Sequence, residues 1–76
     1  MKFCFGVDIG GTSVKMGLFQ ENGKLIEKWA VKTRTEREGE QILPDVAASI
    51  RRKMKEYGLL TIDVRGIGVV IQAHVR

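Results

Sequence analysis

The residues most able to do chemistry lie together near the start of the chain, in the stretch "DIGGTSVK" from Asp8 to Lys15. Glycine lets backbone N–H groups approach an anion with no side chain in between, and successive amides in a turn form a concave anion site. Thr12 adds a hydroxyl donor, and Lys15 adds a mobile positive charge suited to phosphate oxygens. The pattern therefore predicts a phosphate-binding turn.

The aspartate of this stretch would repel a phosphate unless a cation lay between them. Mg²⁺ is commonly held by one or two carboxylates together with substrate phosphates and waters. We therefore predict that Asp8 positions Mg²⁺ through water and that Gly10–Thr12 cradle the phosphate. The alternative is a plain tight hairpin whose aspartate faces solvent, because Gly-Gly turns are common and need no ligand.

Two familiar phosphate-binding motifs do not match the spacing. A P-loop needs four residues between its first glycine and Gly-Lys-Ser/Thr, and Gly10-Gly11-Thr12 lacks that frame. A dinucleotide-binding fingerprint needs a third glycine before a helix, but Gly66 and Gly68 lie in the apolar run "GIGVVI". We interpret these two glycines as close-packing positions in a strand.

Other reactive side chains are few. Cys4 is the single cysteine, so no internal disulfide can form, and it is expected to be a small buried apolar residue in a reducing, cytoplasmic setting. His74 is a lone histidine, which we interpret as neither a base nor a metal ligand. Neither residue is therefore expected to do chemistry.

Size and charge limit the classes of function. A chain of 76 residues forms one small domain or a piece of a larger one, and its core is marginal. The net charge is +4, much of it in "RRKMK" (51–55), but aromatic residues are not interleaved there. We interpret this run as a solvated helix face and expect no nucleic-acid partner. No stretch approaches the roughly 20 apolar residues of a membrane span, so no membrane partner is expected either.

The hydrophobic pattern predicts three antiparallel strands at the start of the chain. Apolar residues alternate over Phe3–Ile9, Thr12–Phe19 and Leu25–Val31, which is the period of a strand. Gly10-Gly11 and Asn22-Gly23 separate them as hairpin turns, in which glycine would supply the positive φ of a primed turn.

A helix and a fourth strand are predicted next, after a polar loop over 32–39. Ile42, Val46, Ile50 and Met54 form a helical stripe. Because Pro44 is tolerated best in the first turn, the helix should begin between Gly39 and Leu43, and Gly58 should end it. The run Ile67–Ile71 is typical of a strand buried on both faces. The order β-β-β-α-β predicts an α/β sheet of order 3-2-1-4, with strand 4 parallel to strand 1.

The segment "FGVDIGGTSVKMGLF", followed by "NGK", a strand, a helix and "GIGV", resembles the N-terminus of the ROK family. That family comprises bacterial sugar kinases, including glucokinases, and related repressors, within the actin-like, hexokinase and Hsp70 ATPase superfamily. The resemblance covers Lys2 to about Val69. It implies a ribonuclease H-like fold, of which residues 1–76 would be one partial domain, the N-terminal part of the nucleotide-binding lobe.

The resemblance also implies roles and cofactors. The phosphate-1 loop of such ATPases, which binds the nucleotide, would correspond to residues 8–15. These are Asp8, Ile9, Gly10, Gly11, Thr12, Ser13, Val14 and Lys15. Asp8 would position Mg²⁺, and the glycines with Thr12 would face the β- and γ-phosphates of ATP. The role of Lys15 stays open, because a lysine at the exposed end of a strand needs no function. The motif begins almost at Met1, whereas family repressors carry a DNA-binding domain before it, which favours the kinase branch.

The family's general base, an aspartate in an Asp-x-Asn motif, has no counterpart here, and neither has its sugar site. Residues 70–76 depart from the Pro-Gly-Pro turn usual in the family. The codons ATC-CAG-GCC-CAC would encode Ile71–His74. Reading the same bases from the third one gives CCA-GGC-CCA, which encodes Pro-Gly-Pro. One hypothesis is therefore a frameshift near Val69–Val70, and the alternative is a divergent tail.

The leading functional hypothesis is that this chain is the ATP phosphate-binding segment of a glucokinase-like hexose kinase. The segment alone would be inactive, and the hexose would bind only to the full-length parent protein. The alternatives are a stand-alone nucleotide- or anion-binding module and a structural, self-associating domain. A homo-oligomer is expected, because a fourth strand with an open apolar edge is a template for another chain.

Overall fold

Four strands form one mixed sheet in the computed structural model, which describes residues 1–71. Strands β1 and β2 are antiparallel, β2 and β3 are antiparallel, and β1 and β4 are parallel. The order β3-β2-β1-β4 confirms the predicted topology. The strands are β1 Phe3–Ile9, β2 Ser13–Gln20, β3 Leu25–Lys32 and β4 Val64–Ile71.

The second hairpin turn follows the predicted chemistry. Gly23 has a φ of 92°, which glycine adopts without steric cost, and its amide donates to the carbonyl of Gln20 at 2.8 Å. The Asn22 side chain accepts a hydrogen bond from the Lys24 amide at 3.0 Å. The Asn-Gly pair thus sets the position of β3 against β2, as predicted.

Helix α2 spans Ile42–Tyr57 and crosses over from the meander to β4. It begins within the predicted window and places Pro44 in its first turn, where a missing N–H costs least. Gly58 ends it with a left-handed φ of 66°, which confirms the predicted stop. No helix within residues 1–71 is long and apolar enough to cross a membrane.

The connections on either side of α2 contain local structure that was not predicted. Residues Glu36–Gly39 form a single helical turn, α1, but Arg37 and Glu38 have left-handed φ values of 52° and 60°, so it is not a regular helix. A 3₁₀ turn covers Thr61–Asp63, and β4 begins at Val64 instead of Ile67. These short segments depend on local hydrogen bonds, which leave no hydrophobic period in the sequence.

The core lies between one face of the sheet and α2. Trp29 on β3 contacts the Phe5 ring edge-on at a centroid distance of 6.4 Å, and its indole N–H donates to the buried Ser49 hydroxyl at 2.8 Å. That bond satisfies both polar groups where α2 packs on the sheet. The buried apolar residues are Phe5, Val7, Ile9, Val14, Met16, Leu18, Val46 and Ile50.

A second link joins β3 to α2 at the edge of the core. Lys53 donates to Glu27 at 2.8 Å and lies 5.0 Å from the Trp29 ring centroid, and Tyr57 donates to the same glutamate at 2.7 Å. The hydrogen bond from Lys53, with that from Tyr57, lowers the pKa of Glu27. Lys53, one of the basic residues of "RRKMK", thus helps to hold α2 against β3. The other basic residues of this run, Arg51, Arg52 and Lys55, are exposed as predicted.

Strand β4 is exposed, so the prediction that it is buried on both faces was wrong for the residues described. Ile67 and Val69 lie opposite Phe5 and Val7, on the helix side of the sheet, yet they are 50% and 48% exposed. Helix α2 covers β1 to β3, whereas on β4 only Val64 is partly buried and packs against the core. A Cβ at Gly66 or Gly68 would meet nothing within 4 Å, so the predicted close packing there was also wrong.

Candidate functional site

A small polar cavity lies where β1 ends and β2 begins. Its volume is about 110 Å³, and the volume that holds one water is roughly 10–15 Å³, so it has room for a polyatomic anion. Six of the eight residues predicted to bind the cofactor line it, namely Asp8, Gly10, Gly11, Thr12, Ser13 and Lys15.

The two charged residues of the cavity are direct cross-strand neighbours. Asp8 on β1 pairs with Lys15 on β2, and strand alternation places both on the face opposite α2. The next pair in register, Ile9 and Val14, is buried in the core on the other face. The predicted participation of Ile9 and Val14 is therefore limited to their backbone atoms.

The backbone of the turn leaves two amides available for a ligand. The Gly10 amide donates to the Ser13 carbonyl at 3.0 Å, which closes the hairpin and takes that amide out of the predicted cradle. Across residues 1–71, no backbone–backbone hydrogen bond uses the amide of Gly11 or Thr12. Both residues are exposed at the cavity.

The fold itself does not require glycine at position 11. The described glycines with a left-handed φ are Gly23, Gly39 and Gly58, so the predicted positive φ at Gly10-Gly11 was wrong. A Cβ at Gly11 would meet nothing within 4 Å. A side chain would fit this turn when no ligand is present, but it would stand in the open space at the cavity. The turn thus fits an anion that approaches the backbone closely.

Thr33, which was predicted to lie in a loop, contacts this turn directly. Its amide donates to the Thr12 carbonyl at 3.1 Å, and its hydroxyl donates to the Gly10 carbonyl at 2.9 Å. The residue is 7% exposed. The proximity of Thr33 to the turn could have been inferred from the sequence, because two successive hairpins bring the end of β3 beside the start of β2.

The residue after Thr33 joins the same segment to α2. Arg34 donates to both carboxylate oxygens of Asp45, at 2.6 Å and 2.7 Å. These hydrogen bonds lower the pKa of Asp45 and raise that of Arg34. Asp45 lies in the first turn of α2, where a negative charge also favours the helix dipole. The segment 33–34 therefore connects the glycine turn to the helix.

A larger apolar cavity of about 550 Å³ adjoins the polar one on the same face of the sheet. Its floor contains Gly6, Gly17 and Gly68, which are neighbours across three strands. The Phe19 ring covers two of them, since a Cβ at Gly17 would lie 2.8 Å and one at Gly6 3.3 Å from its Cε1 atom. Asp8 and Lys15 line both cavities.

The donor set at the turn suits magnesium better than a closed metal centre. No group of three or more His, Cys, Asp or Glu residues in the described part of the chain could hold a metal ion. A single carboxylate such as Asp8 fits Mg²⁺, which usually keeps several waters and takes its other ligands from phosphates.

The chain is similar in sequence or in structure to several known proteins. The glucokinase of Halalkalibacterium halodurans is 30% identical over 68 residues, which are 90% of this chain. A protein of Cytophaga hutchinsonii assigned as a sugar kinase has a similar structure, with 28% identity, a TM-score of 0.63 and 88% of this chain covered. The chain is distantly similar to glucokinase and to ROK-type sugar kinases. No family model matches it.

Two further structures extend the comparison. Lmo2764 of Listeria monocytogenes, assigned as an N-acetylmannosamine kinase, is 30% identical, with a TM-score of 0.59 over 97% of this chain. The Ppx/GppA phosphatase of Aquifex aeolicus has a TM-score of 0.62 over 93% of this chain and 26% of its own, with 14% identity, and shows the shared fold alone. The sheet and its crossover helix thus match the N-terminal portions of actin-like ATPases.

The similarity to sugar kinases covers only part of each relative. The chain spans 21% of the length of the H. halodurans glucokinase and 21% and 22% of the two kinase structures.

Proposed function

We propose that this chain is the ATP phosphate-binding segment of a sugar kinase that transfers the γ-phosphate of ATP to a hexose, with glucose as the first candidate. The observation that carries the proposal is the polar cavity, where two amides that make no backbone–backbone hydrogen bond within residues 1–71 lie next to a carboxylate and a lysine. The similarity to glucokinase supports the choice of reaction.

Four residues of the cavity have distinct roles in this proposal. The Gly11 and Thr12 amides and the Thr12 hydroxyl donate to the β- and γ-phosphate oxygens, and Lys15 brings its positive charge to them. Asp8 holds Mg²⁺ through water, and bound Mg²⁺ neutralises phosphate charge. Donors fixed in place before the reaction stabilise the charge that develops on the transferred group.

The chain as given should bind nucleotide without turning over sugar. Asp8 is the only Asp, Glu or His among the described residues that line the cavity, and it is assigned to the metal. Positions 72–76, including His74 and most of the divergent tail, lie outside the described residues. The general base and the hexose pocket are therefore assigned to a longer parent protein.

A titration with ATP tests the nucleotide site. In ¹⁵N-labelled chain, adding ATP with Mg²⁺ should shift the amide resonances of Gly10–Lys15 much more than adding ATP without Mg²⁺, and glucose with MgATP should give no phosphorylated sugar. Unchanged resonances at saturating MgATP would contradict the binding site. Measurable phosphorylation would contradict the assignment of the base to another part of the protein.

The bare strand β4 favours a second candidate role, that of a self-associating domain. Its outer edge is long, and the apolar side chains beyond Val64 are exposed, from 48% for Val69 to 70% for Ile71. Unpaired N–H and C=O groups on such an edge are a template for a strand of another chain.

Light scattering on a size-exclusion column tests this role. The mass should rise from monomer toward dimer with protein concentration, and Val69→Lys should restore the monomer, because a lysine on an edge strand opposes pairing. Leu25→Lys is the matched control on the opposite edge strand β3 and should leave the association unchanged. A monomer at every concentration would exclude self-association.

A further inference from the structure

We propose that Thr33 is a positioning residue of the phosphate turn: by binding the Gly10 carbonyl, it orients the Gly11 N–H toward the ligand. The inference rests on the proposed nucleotide site. It assigns a role to a residue that lies outside the glycine motif, 18 positions beyond Lys15 in the sequence.

Two hydrogen bonds define the contact. The Thr33 hydroxyl donates to the Gly10 carbonyl at 2.9 Å, and the Thr33 amide donates to the Thr12 carbonyl at 3.1 Å. One residue thus binds alternate carbonyls of the turn. With an exposed fraction of 7%, its hydroxyl is shielded from water that would compete for these bonds.

The planarity of the peptide bond converts these contacts into control over the amides. No cis peptide is present in the described chain, so each N–H points away from the C=O of the same peptide group. Holding the Gly10 carbonyl fixes the direction of the Gly11 N–H. Holding the Thr12 carbonyl fixes the direction of the Ser13 N–H.

Control of direction matters most where glycine is present. Gly11 has no Cβ to restrict its backbone, so the Gly10–Gly11 peptide can rotate more freely than any other in the turn. A rotated peptide would present its carbonyl oxygen to the phosphate and repel it. Glycine at position 11 lets the anion come close to the backbone, and Thr33 restricts the rotation of the peptide that this glycine leaves free. Tight anion binding needs such donors to be fixed in direction.

The segment that carries Thr33 is itself fixed. The next residue, Arg34, makes the bidentate pair with Asp45 at the start of α2. Substituting Arg34 loosens the same segment without removing either hydrogen bond to the turn. This neighbour supplies a control that separates aiming of the amides from general support of the loop.

The test measures MgATP affinity of the chain by ¹⁵N shifts for Thr33→Val, Thr33→Ser, Thr33→Ala and Arg34→Gln. Loss of one buried hydrogen bond should weaken MgATP binding about threefold to tenfold in the valine and alanine variants. The serine variant, which keeps the hydroxyl, should bind nearly as the parent, and Arg34→Gln should bind unchanged. The ¹⁵N order parameter of the Gly11 amide without ligand should fall only where the hydroxyl is lost.

The outcomes separate the two proposals. A parent chain that does not respond to MgATP overturns the nucleotide site and with it the role of Thr33. A parent that binds, with equal affinities for Thr33→Ser and Thr33→Ala, overturns the role of Thr33 alone. The serine and alanine pair decides the question even if the valine variant does not fold. Equal loss of affinity in Arg34→Gln would reduce Thr33 to general support of the loop and overturn the inference.

Discussion

Leu18→Ala should remove much of the stability of the chain. Leu18 is 0% exposed on β2, where it lies opposite Phe5, and its truncation leaves a cavity in the middle of the sheet. Such truncations cost about 2–5 kcal/mol, whereas the free energy of unfolding of a domain this small is roughly 4–11 kcal/mol. With a urea m value near 1 kcal/mol per M, the unfolding midpoint should fall by about 2 M or more.

Fluorescence of Trp29, the single tryptophan, follows this transition because Trp29 packs against the core. Leu25→Ala is the matched control, since Leu25 is 44% exposed at the start of β3 and should cost less than about 1 kcal/mol. Equal midpoint shifts for the two variants would show that the core does not lie where the structure places it.

Asp8→Asn should abolish the metal dependence of nucleotide binding. In the parent chain, Mg²⁺ should strengthen ATP binding at least tenfold, on the order of the 1.4 kcal/mol that a tenfold change represents. Asparagine keeps the shape and removes the charge that holds the metal. The variant should therefore lose the gain from Mg²⁺ and bind metal-free ATP more tightly than the parent, because the carboxylate no longer repels the phosphates.

Calorimetric titrations with and without Mg²⁺ give the four affinities of the two proteins. Glu56→Gln on α2 changes the net charge of +4 by the same amount and should preserve the metal dependence. A gain from Mg²⁺ that persists in Asp8→Asn would remove Asp8 from the metal site.

The strands and the helix could be predicted because burial gives each of them a period in the sequence. The alternation over Phe3–Ile9 and the stripe through Val46 and Ile50 are direct traces of the core, and Gly23 and Gly58 mark true left-handed positions. The exposure of β4 could not be predicted in this way. An apolar run indicates that a strand is suited to burial, but it does not say which elements are present to cover it.

The residues that line the cavity were predicted, but the contacts that hold its turn in place were not. The residue types of Asp8–Lys15 indicated the cavity, yet one of the two reasons given for the glycines was wrong, since the turn does not use a positive φ. Thr33 escaped notice because its contribution depends on the strand register, which joins positions 10, 12 and 33. Thr33 bonds to backbone carbonyls, which every residue has. The contact therefore gives no recognisable pattern of residue types in the sequence.

The position of β1 in the sheet has a consequence for the order of events during synthesis. Its β2 neighbour follows after three residues, whereas its β4 neighbour begins only at Val64. At about 5–20 residues per second, the ribosome needs roughly 3–11 s to add the 54 residues from Gly10 to Asp63. During that interval the nascent meander has β1 as an open edge, and β1 carries Phe5 and Val7. Closing the sheet therefore waits on elongation, and any pause of the ribosome within α2 prolongs the exposure of this strand to other nascent chains and to chaperones.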